Sequence, residues 1–151
     1  MIKQESKIAT IEDAIQIAAQ AHKGQTDKAG AVYILHPLRL MMRMKTESEM
    51  MTAILHDVVE DSDWTIDKLK EKGFSEEVLE AVECVTNREN ESYEQFIKRA
   101  SKNPIARRVK IADLEDNMNI QRIEKIKPKD LERLQKYHKS WYFLTKGNSI
   151  I

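Results

Sequence analysis

Hydrophobic positions recur with helical spacing along most of the chain. Thr10, with Asp13 three residues later, forms a variant of the capping box that begins helices, and small apolar residues then follow on one face. This pattern predicts a first helix over residues 10–23. The next segment, 24–37, holds two of the four glycines and a proline, so we expect a loop there, where functional side chains are common.

Later helices are predicted from cap residues, prolines and the same apolar spacing. Three of these helices are predicted over residues 46–60, 92–101 and 104–117. For four others only the start is predicted, at Pro37, Thr65, Ser75 and Pro128. No internal repeat or low-complexity tract interrupts the series. We therefore expect an all-α protein, a compact helical bundle that forms one domain over residues 1–151.

The composition supports this interpretation. Apolar residues make up 41% of the 151 residues and charged residues 33%, with 4 glycines and 3 prolines, a mix that suits amphipathic helices. The 25 basic and 25 acidic residues cancel, so we expect no attraction to a nucleic acid polymer or an anionic membrane. The single cysteine and the polar beginning of the chain favour a cytoplasmic protein.

The first candidate for chemistry is the adjacent pair His56 and Asp57, inside the apolar run 54–59. An ionised carboxylate buried there costs several kcal/mol, about the penalty found for unpaired buried charges, unless a partner such as a divalent cation neutralises it. On one helix, Glu60 would follow His56 by one turn and Asp61 would follow Asp57. A packed core histidine beside an ion-paired aspartate is the structural alternative.

His36 and Asp113 add two potential ligands, each also set among apolar neighbours. Two imidazoles and two carboxylates suit zinc, manganese or iron, and they leave coordination positions for water and substrate. The four residues together therefore predict a centre that holds one divalent metal ion.

Four segments carry a family resemblance over nearly the whole chain. They are AHKGQ at 21–25, YILHP at 33–37, ILHDVVED at 54–61 and KIADLEDN at 110–117. In this order the sequence resembles the HD superfamily of metal-dependent phosphohydrolases, and within it the hydrolase half of RelA/SpoT enzymes and the small stand-alone alarmone hydrolases.

The resemblance implies roles for six residues. The family's metal ligands, which usually hold manganese, match His36, His56, Asp57 and Asp113, and an acidic pair that orients or deprotonates the attacking water matches Glu60 and Asp61. The implied reaction is removal of the 3′-pyrophosphate from guanosine tetra- or pentaphosphate by a metal-activated water.

Five residues match or adjoin the family's substrate contacts and imply a small anionic nucleotide as partner. They are Lys28, Tyr33, Asn117, Arg133 and Tyr137. Each also has a structural interpretation, as a surface charge, a packing aromatic ring or a solvated amide.

One departure bears on the substrate. The alarmone hydrolases carry an Arg-Lys pair in the loop before their tyrosine, and the arginine stacks on guanine, whereas this chain has Asp27 and Lys28. A carboxylate cannot make that cation-to-ring contact. The alternatives are therefore an HD hydrolase with another nucleotide or phosphate ester as substrate, and a catalytically silent nucleotide-binding module.

A homodimer is also compatible with the sequence. Five methionines between positions 41 and 51 indicate adaptable core or a partner surface, and the last helix is amphipathic.

Overall fold

The computed structural model describes residues 6–147, and this part of the chain is helical, as predicted. The helices are α1 (Ile11–Ala21), α2 (Leu35–Met42), α3 (Glu47–Leu55), α4 (Val58–Asp61), α5 (Ile66–Glu71), α6 (Glu76–Cys84), α7 (Tyr93–Ser101), α8 (Pro104–Asn117) and α9 (Pro128–Lys146). Outside the helices, an isolated antiparallel bridge joins Thr26 to Val32. No helix within residues 6–147 combines the length and apolarity needed to cross a membrane.

The predicted caps begin the helices as expected. The Thr10 hydroxyl accepts from the backbone N–H of Asp13 and completes a capping box at α1. The Thr46 hydroxyl accepts from the backbone N–H of Glu49 and completes a capping box at α3. Thr65 and Ser75 cap α5 and α6. Local side-chain chemistry therefore fixes where these helices start.

Helix α3 lies at the centre, where it packs against α1, α2, α6 and α8. Its residues Ala53, Ile54 and Leu55 are completely buried in the main hydrophobic core. A smaller apolar cluster around Leu114 and Leu144 joins α8 to α9. The carboxyl end of α3 is thus held rigidly inside the bundle.

The single helix predicted over residues 46–60 is wrong, because α3 ends at Leu55 and α4 begins at Val58. The Nδ1–H of the His56 ring donates to the Ala53 carbonyl at 2.7 Å, and Asp57, with φ −108° and ψ 0°, departs from the ideal α-helical angles. The break places both side chains at the junction of the two helices.

Helix α2 starts at Leu35, two residues before the predicted Pro37. His36 therefore lies in its first turn, and the side chain is buried.

The methionine group is mostly core. Met41 and Met44 are buried, and Met50 and Met51 pack against the same core, whereas Met42 is exposed. Four of the five methionines thus stabilise the bundle itself.

Candidate metal centre and adjoining cavity

Three of the predicted ligands form a compact group. One potential ligand atom from each of His36, His56 and Asp57 lies within 4.8 Å of the others. Asp113, from α8, completes the group, since its Oδ1 lies 2.9 Å from Nε2 of His36 and 3.4 Å from Nε2 of His56. Residues that are far apart in the sequence thus meet at the junction of α2, α3 and α8.

The His56 ring has a defined orientation. A carbonyl only accepts, so the 2.7 Å contact with Ala53 places the proton on Nδ1 and directs Nε2 at the carboxylates. Nε2 is buried and has no hydrogen-bond partner of acceptable geometry, although Asp57 Oδ2 is 3.0 Å away. In a neutral ring, this lone pair would face anionic oxygens, an arrangement that a cation between them stabilises.

His36 is oriented by a residue that the sequence analysis left without a role. Its Nδ1 lies 2.6 Å from Oδ2 of Asp116, and Arg39 donates to both oxygens of Asp116 at 2.8 Å. In metal sites a carboxylate frequently accepts a hydrogen bond from the ring nitrogen of a histidine ligand that does not face the metal, and it fixes the orientation of the ring. Asp116 lies in the segment KIADLEDN, three residues after Asp113 on the same helix. This spacing is the sequence signal that could have indicated a role for Asp116 beside the ligands.

The carboxylates of the centre are held in their charged form. Burial opposes ionisation of Asp113, but Lys110 at 2.8 Å and the two histidines hold its pKa well below the usual range. For Asp57, burial also raises the pKa, but His56 outweighs it and brings the pKa to about 2. The hydroxyl of Tyr33 donates a further hydrogen bond to Asp57.

The histidines complement these anions. Burial favours neutral imidazole, yet hydrogen bonds with Asp113 and Asp116 raise the pKa of His36, and Asp57 and Asp113 raise that of His56. The site thus attracts positive charge at its centre. Two imidazole nitrogens and two carboxylates match the donors that bind a divalent transition metal.

Glu60 and Asp61 extend from α4 beside this centre. Desolvation, followed by the charge of nearby Asp57, raises the pKa of Asp61. Desolvation also raises the pKa of Glu60, against a hydrogen bond in which the Asn87 N–H donates to Glu60 Oε1 at 2.5 Å. A carboxyl group whose pKa is raised holds a proton more readily, as acid–base chemistry requires.

A cavity of about 330 Å³ adjoins the centre through Tyr33, Asp116 and Asn117. The amide of Asn117 donates to Oδ1 of Asp113 at 3.1 Å, so one wall of the cavity is continuous with the metal centre. The five predicted substrate contacts all line it: Lys28, Tyr33, Asn117, Arg133 and Tyr137. Their roles stay predictions, but the fold brings them together.

The cavity also contains a cation that the sequence analysis missed. Arg122 lies opposite Asp27, with Nη1 3.6 Å from Asp27 Oδ2, and its Nη2 is 3.9 Å from Asp116 Oδ2. Both distances exceed a hydrogen bond, so the guanidinium keeps donors for a ligand. Arg122 falls in the non-helical segment 118–127, where no periodicity singles out a residue.

The Asp27 side chain stabilises the loop between α1 and α2 by hydrogen bonds to its backbone. Its Oδ1 accepts from the backbone N–H groups of Ala29 and Ala31 at 2.9 Å each, and the bridge from Thr26 to Val32 closes the same turn. This arrangement holds Lys28 at the cavity wall.

Comparison with known sequences finds relatives named as guanosine-3′,5′-bis(diphosphate) 3′-pyrophosphohydrolases and as GTP pyrophosphokinases, although no family model matches the chain. A guanosine-3′,5′-bis(diphosphate) 3′-pyrophosphohydrolase of Aquifex aeolicus is 31% identical over 120 residues, which cover 72% of this chain and 17% of the relative. The bifunctional (p)ppGpp synthase/hydrolase SpoT of Escherichia coli is 38% identical over 86 residues, 54% of this chain and 12% of SpoT. The chain therefore spans less than a fifth of these relatives.

A solved structure shares the fold. It is described as a metazoan ortholog of SpoT that hydrolyses ppGpp, and it matches with a TM-score of 0.75 and 23% identity over 95% of this chain and 89% of that one. Together with the clustered histidines and aspartates, the sequence relatives and the shared fold support an HD domain of the RelA/SpoT type.

Proposed function

We propose that the chain is a metal-dependent phosphohydrolase that removes the 3′-pyrophosphate from guanosine 3′,5′-polyphosphates. The observation that carries this proposal is the buried group of His36, His56, Asp57 and Asp113 beside a cavity lined by three cationic side chains. The Aquifex relative is named for this reaction, and the metazoan structure is described as hydrolysing ppGpp.

In this proposal the two histidines bind the metal through Nε2 and the two aspartates through carboxylate oxygens. Manganese suits mixed imidazole and carboxylate ligands. When bound, a divalent ion supplies Lewis acidity toward a phosphoryl oxygen and makes a water more acidic. Tyr33 and Lys110 hold Asp57 and Asp113 in place by hydrogen bonds.

Glu60 and Asp61 handle the proton in the proposed reaction. Glu60 has one oxygen occupied by the Asn87 N–H, so its other oxygen is available to orient the attacking water and accept its proton. Asp61 lies next to Glu60 on α4, and the negative charge of nearby Asp57 raises the pKa of its carboxyl group. We assign the general base to Glu60, with Asp61 assisting in orienting the water.

The lining of the cavity supports an anionic nucleotide as the ligand through its cations, which stand beside Asp27, Asp116 and Asp130. Lys28, Arg122 and Arg133 bring positive charge to its walls, and Tyr33 and Tyr137 bring aromatic rings. Guanidinium groups bind phosphate through paired N–H donors, and aromatic rings stack on a base. Asn117 links this surface to Asp113 and thus to the reacting end.

A second candidate keeps the reaction and changes the base. Asp27 occupies the position of the family's base-stacking arginine, and its carboxylate is used inside the loop. We infer that another nucleotide polyphosphate, such as the adenosine form, competes with the guanosine form as substrate.

The test is product analysis by anion exchange after the purified protein, supplied with manganese, is incubated with guanosine and adenosine 3′,5′-polyphosphates. Pyrophosphate release by the parent, and none by Asp57→Ala, supports the proposal and ranks the two bases. No release from metal-loaded parent contradicts it, and a nucleotide that binds without turnover would indicate a silent module.

The remaining predictions stand as proposals: one domain over residues 1–151, a cytoplasmic location and a homodimer. For the dimer, Leu131 and Tyr142 on α9 offer exposed apolar surface. Sedimentation equilibrium measures the dimer directly.

A further inference from the structure

The hydrogen bond to Glu60 comes from a loop outside the metal centre. This loop, residues 85–92, connects α6 to α7, and its Asn87 N–H donates to Glu60 Oε1 at 2.5 Å. Within residues 6–147, Glu60 Oε2 has no hydrogen-bond partner. The loop therefore selects which oxygen of Glu60 is held and which is left available.

The peptide unit that supplies this N–H is held from its other side by Arg99. The carbonyl of Thr86 belongs to the same peptide unit as the N–H of Asn87, and it accepts from Arg99 Nη2 at 2.6 Å. In a trans peptide the C=O and N–H point in opposite directions. Arg99 and Glu60 therefore bind the two ends of one peptide unit, which fixes its rotation.

Arg99 is itself held in place. It makes a bidentate ion pair with Glu91, with Nε and Nη2 at 2.7 and 2.8 Å from the two carboxylate oxygens, and its Nη1 donates to the Glu83 carbonyl at 2.8 Å. The two side chains are only 16% and 10% exposed. The guanidinium, which comes from the last turn of α7, thus joins the end of α6 to the loop at one point.

We propose that Arg99 is a positioning residue for Glu60 and that it acts through the Thr86–Asn87 peptide. This inference rests on the proposed function, in which Glu60 accepts the proton of the attacking water. The guanidinium charge polarises the peptide and strengthens the N–H as a donor, and the fixed peptide holds Glu60 Oε1 and leaves Oε2 available to the attacking water. Arg99 contacts neither the metal ligands nor the residues that line the cavity.

The kinetic test is a double-mutant cycle between Arg99→Gln and Glu60→Gln. Arg99→Gln should lower kcat about 10- to 100-fold with KM within about twofold, because displacement of a catalytic group by about 1 Å can cost about 100-fold. In the Glu60→Gln background the same change should lower kcat less than about twofold, since no base remains to be positioned. An equal loss in both backgrounds would show that Arg99 acts elsewhere and overturn the proposal.

Arg107 provides the matched control. Its Nε donates to the Leu144 carbonyl at 2.9 Å, so it also anchors backbone through a guanidinium, away from Glu60. Arg107→Gln should leave kcat within about twofold, in keeping with an effect confined to groups that contact one another. If Arg99→Gln does not fold, Glu91→Gln replaces it, because it weakens the ion pair that holds Arg99 and keeps side-chain size.

A second measurement is independent of turnover. In the ¹H–¹⁵N spectrum the Asn87 amide proton should resonate downfield, as a hydrogen bond to a carboxylate requires, and move upfield in Arg99→Gln and in Glu60→Gln. If the chemical shift of the Asn87 amide proton is the same in the parent and in Arg99→Gln, the positioning role is overturned. If the parent releases no pyrophosphate, the proposed function fails, and this spectrum alone decides whether Arg99 positions Glu60.

Discussion

Nδ1 of His36 lies 2.6 Å from Oδ2 of Asp116, and this contact directs the opposite ring nitrogen at Asp113. The same carboxylate is held by two hydrogen bonds from Arg39. Orientation of His36 therefore depends on an ion pair between α2 and α8, outside the four predicted ligands.

The first prediction follows from this contact. Asp116→Ala should weaken manganese binding by about 10- to 100-fold, the usual cost of losing a group that orients a metal ligand, because the His36 ring loses its fixed orientation. Isothermal titration calorimetry with manganese measures the change. Glu115→Ala is the control, since the neighbouring Glu115 pairs with Arg43 near the surface. Equal affinities for parent and Asp116→Ala would remove Asp116 from the site.

Glu60→Gln should retain manganese and lose about 10²- to 10⁴-fold in kcat, the usual contribution of general-base catalysis. Glutamine keeps the shape and can still accept from Asn87, but it cannot take the proton. Single-turnover kinetics with metal content measured on the same sample checks both parts. Asp61→Asn, which leaves Glu60 intact, should lose less, and a larger loss there would reverse the assignment of the two carboxylates.

Arg122→Ala should raise KM for a nucleotide polyphosphate about tenfold, which corresponds to loss of one charge-assisted contact, with kcat little changed. The reason is its place in the cavity wall, where the distances of 3.6 and 3.9 Å to Asp27 and Asp116 leave its N–H donors without a hydrogen bond to either carboxylate. Lys125→Ala, a change of an exposed cation in the same segment, is the control. A KM that responds equally to both changes would reflect net charge rather than a contact.

The Glu91–Arg99 pair predicts a pH-dependent stability. Hydrogen bonds from Arg99 hold the pKa of Glu91 at about 2, below its ordinary value of 4.5. The native state thus binds the proton less readily than the unfolded state, so the pair stabilises fully above about pH 4.5 and its contribution is lost as the pH falls toward 2. Urea unfolding should show Glu91→Gln less stable than parent at pH 7, with a smaller difference at pH 3. Glu89→Gln, in the same exposed loop, should show no such convergence.

Substitutions at two glycines distinguish the cost of backbone strain from the cost of a steric clash. Gly73 and Gly24 both have positive φ, but a Cβ at Gly73 would lie 1.9 Å from the carbonyl oxygen of Lys7, whereas at Gly24 nothing lies within 4 Å. Gly24→Ala should lower the free energy of unfolding by about 1 to 2 kcal/mol, the strain of the left-handed region. Gly73→Ala should lower it further, because the segment before α1 must move away. Chemical denaturation of both variants tests the order.

The sequence by itself determined the helices and the residue types of the centre. Capping boxes at Thr10 and Thr46 and the proline at 128 are local signals, because a helix end is set by groups within a few residues. Histidine and aspartate inside apolar runs likewise indicated a buried charged site, since such groups require partners.

Only the tertiary structure decided how those residues meet. The break at His56 and Asp57 replaces the predicted continuous helix at the point where the His56 ring binds the Ala53 carbonyl and turns Nε2 toward Asp113 of α8. The roles proposed for Arg122 and Arg99 depend on neighbours that lie outside their own segments, Asp27 for the first and a loop peptide bound to Glu60 for the second. Such contacts depend on the packing of separate helices, a property that no local spacing along one chain segment encodes.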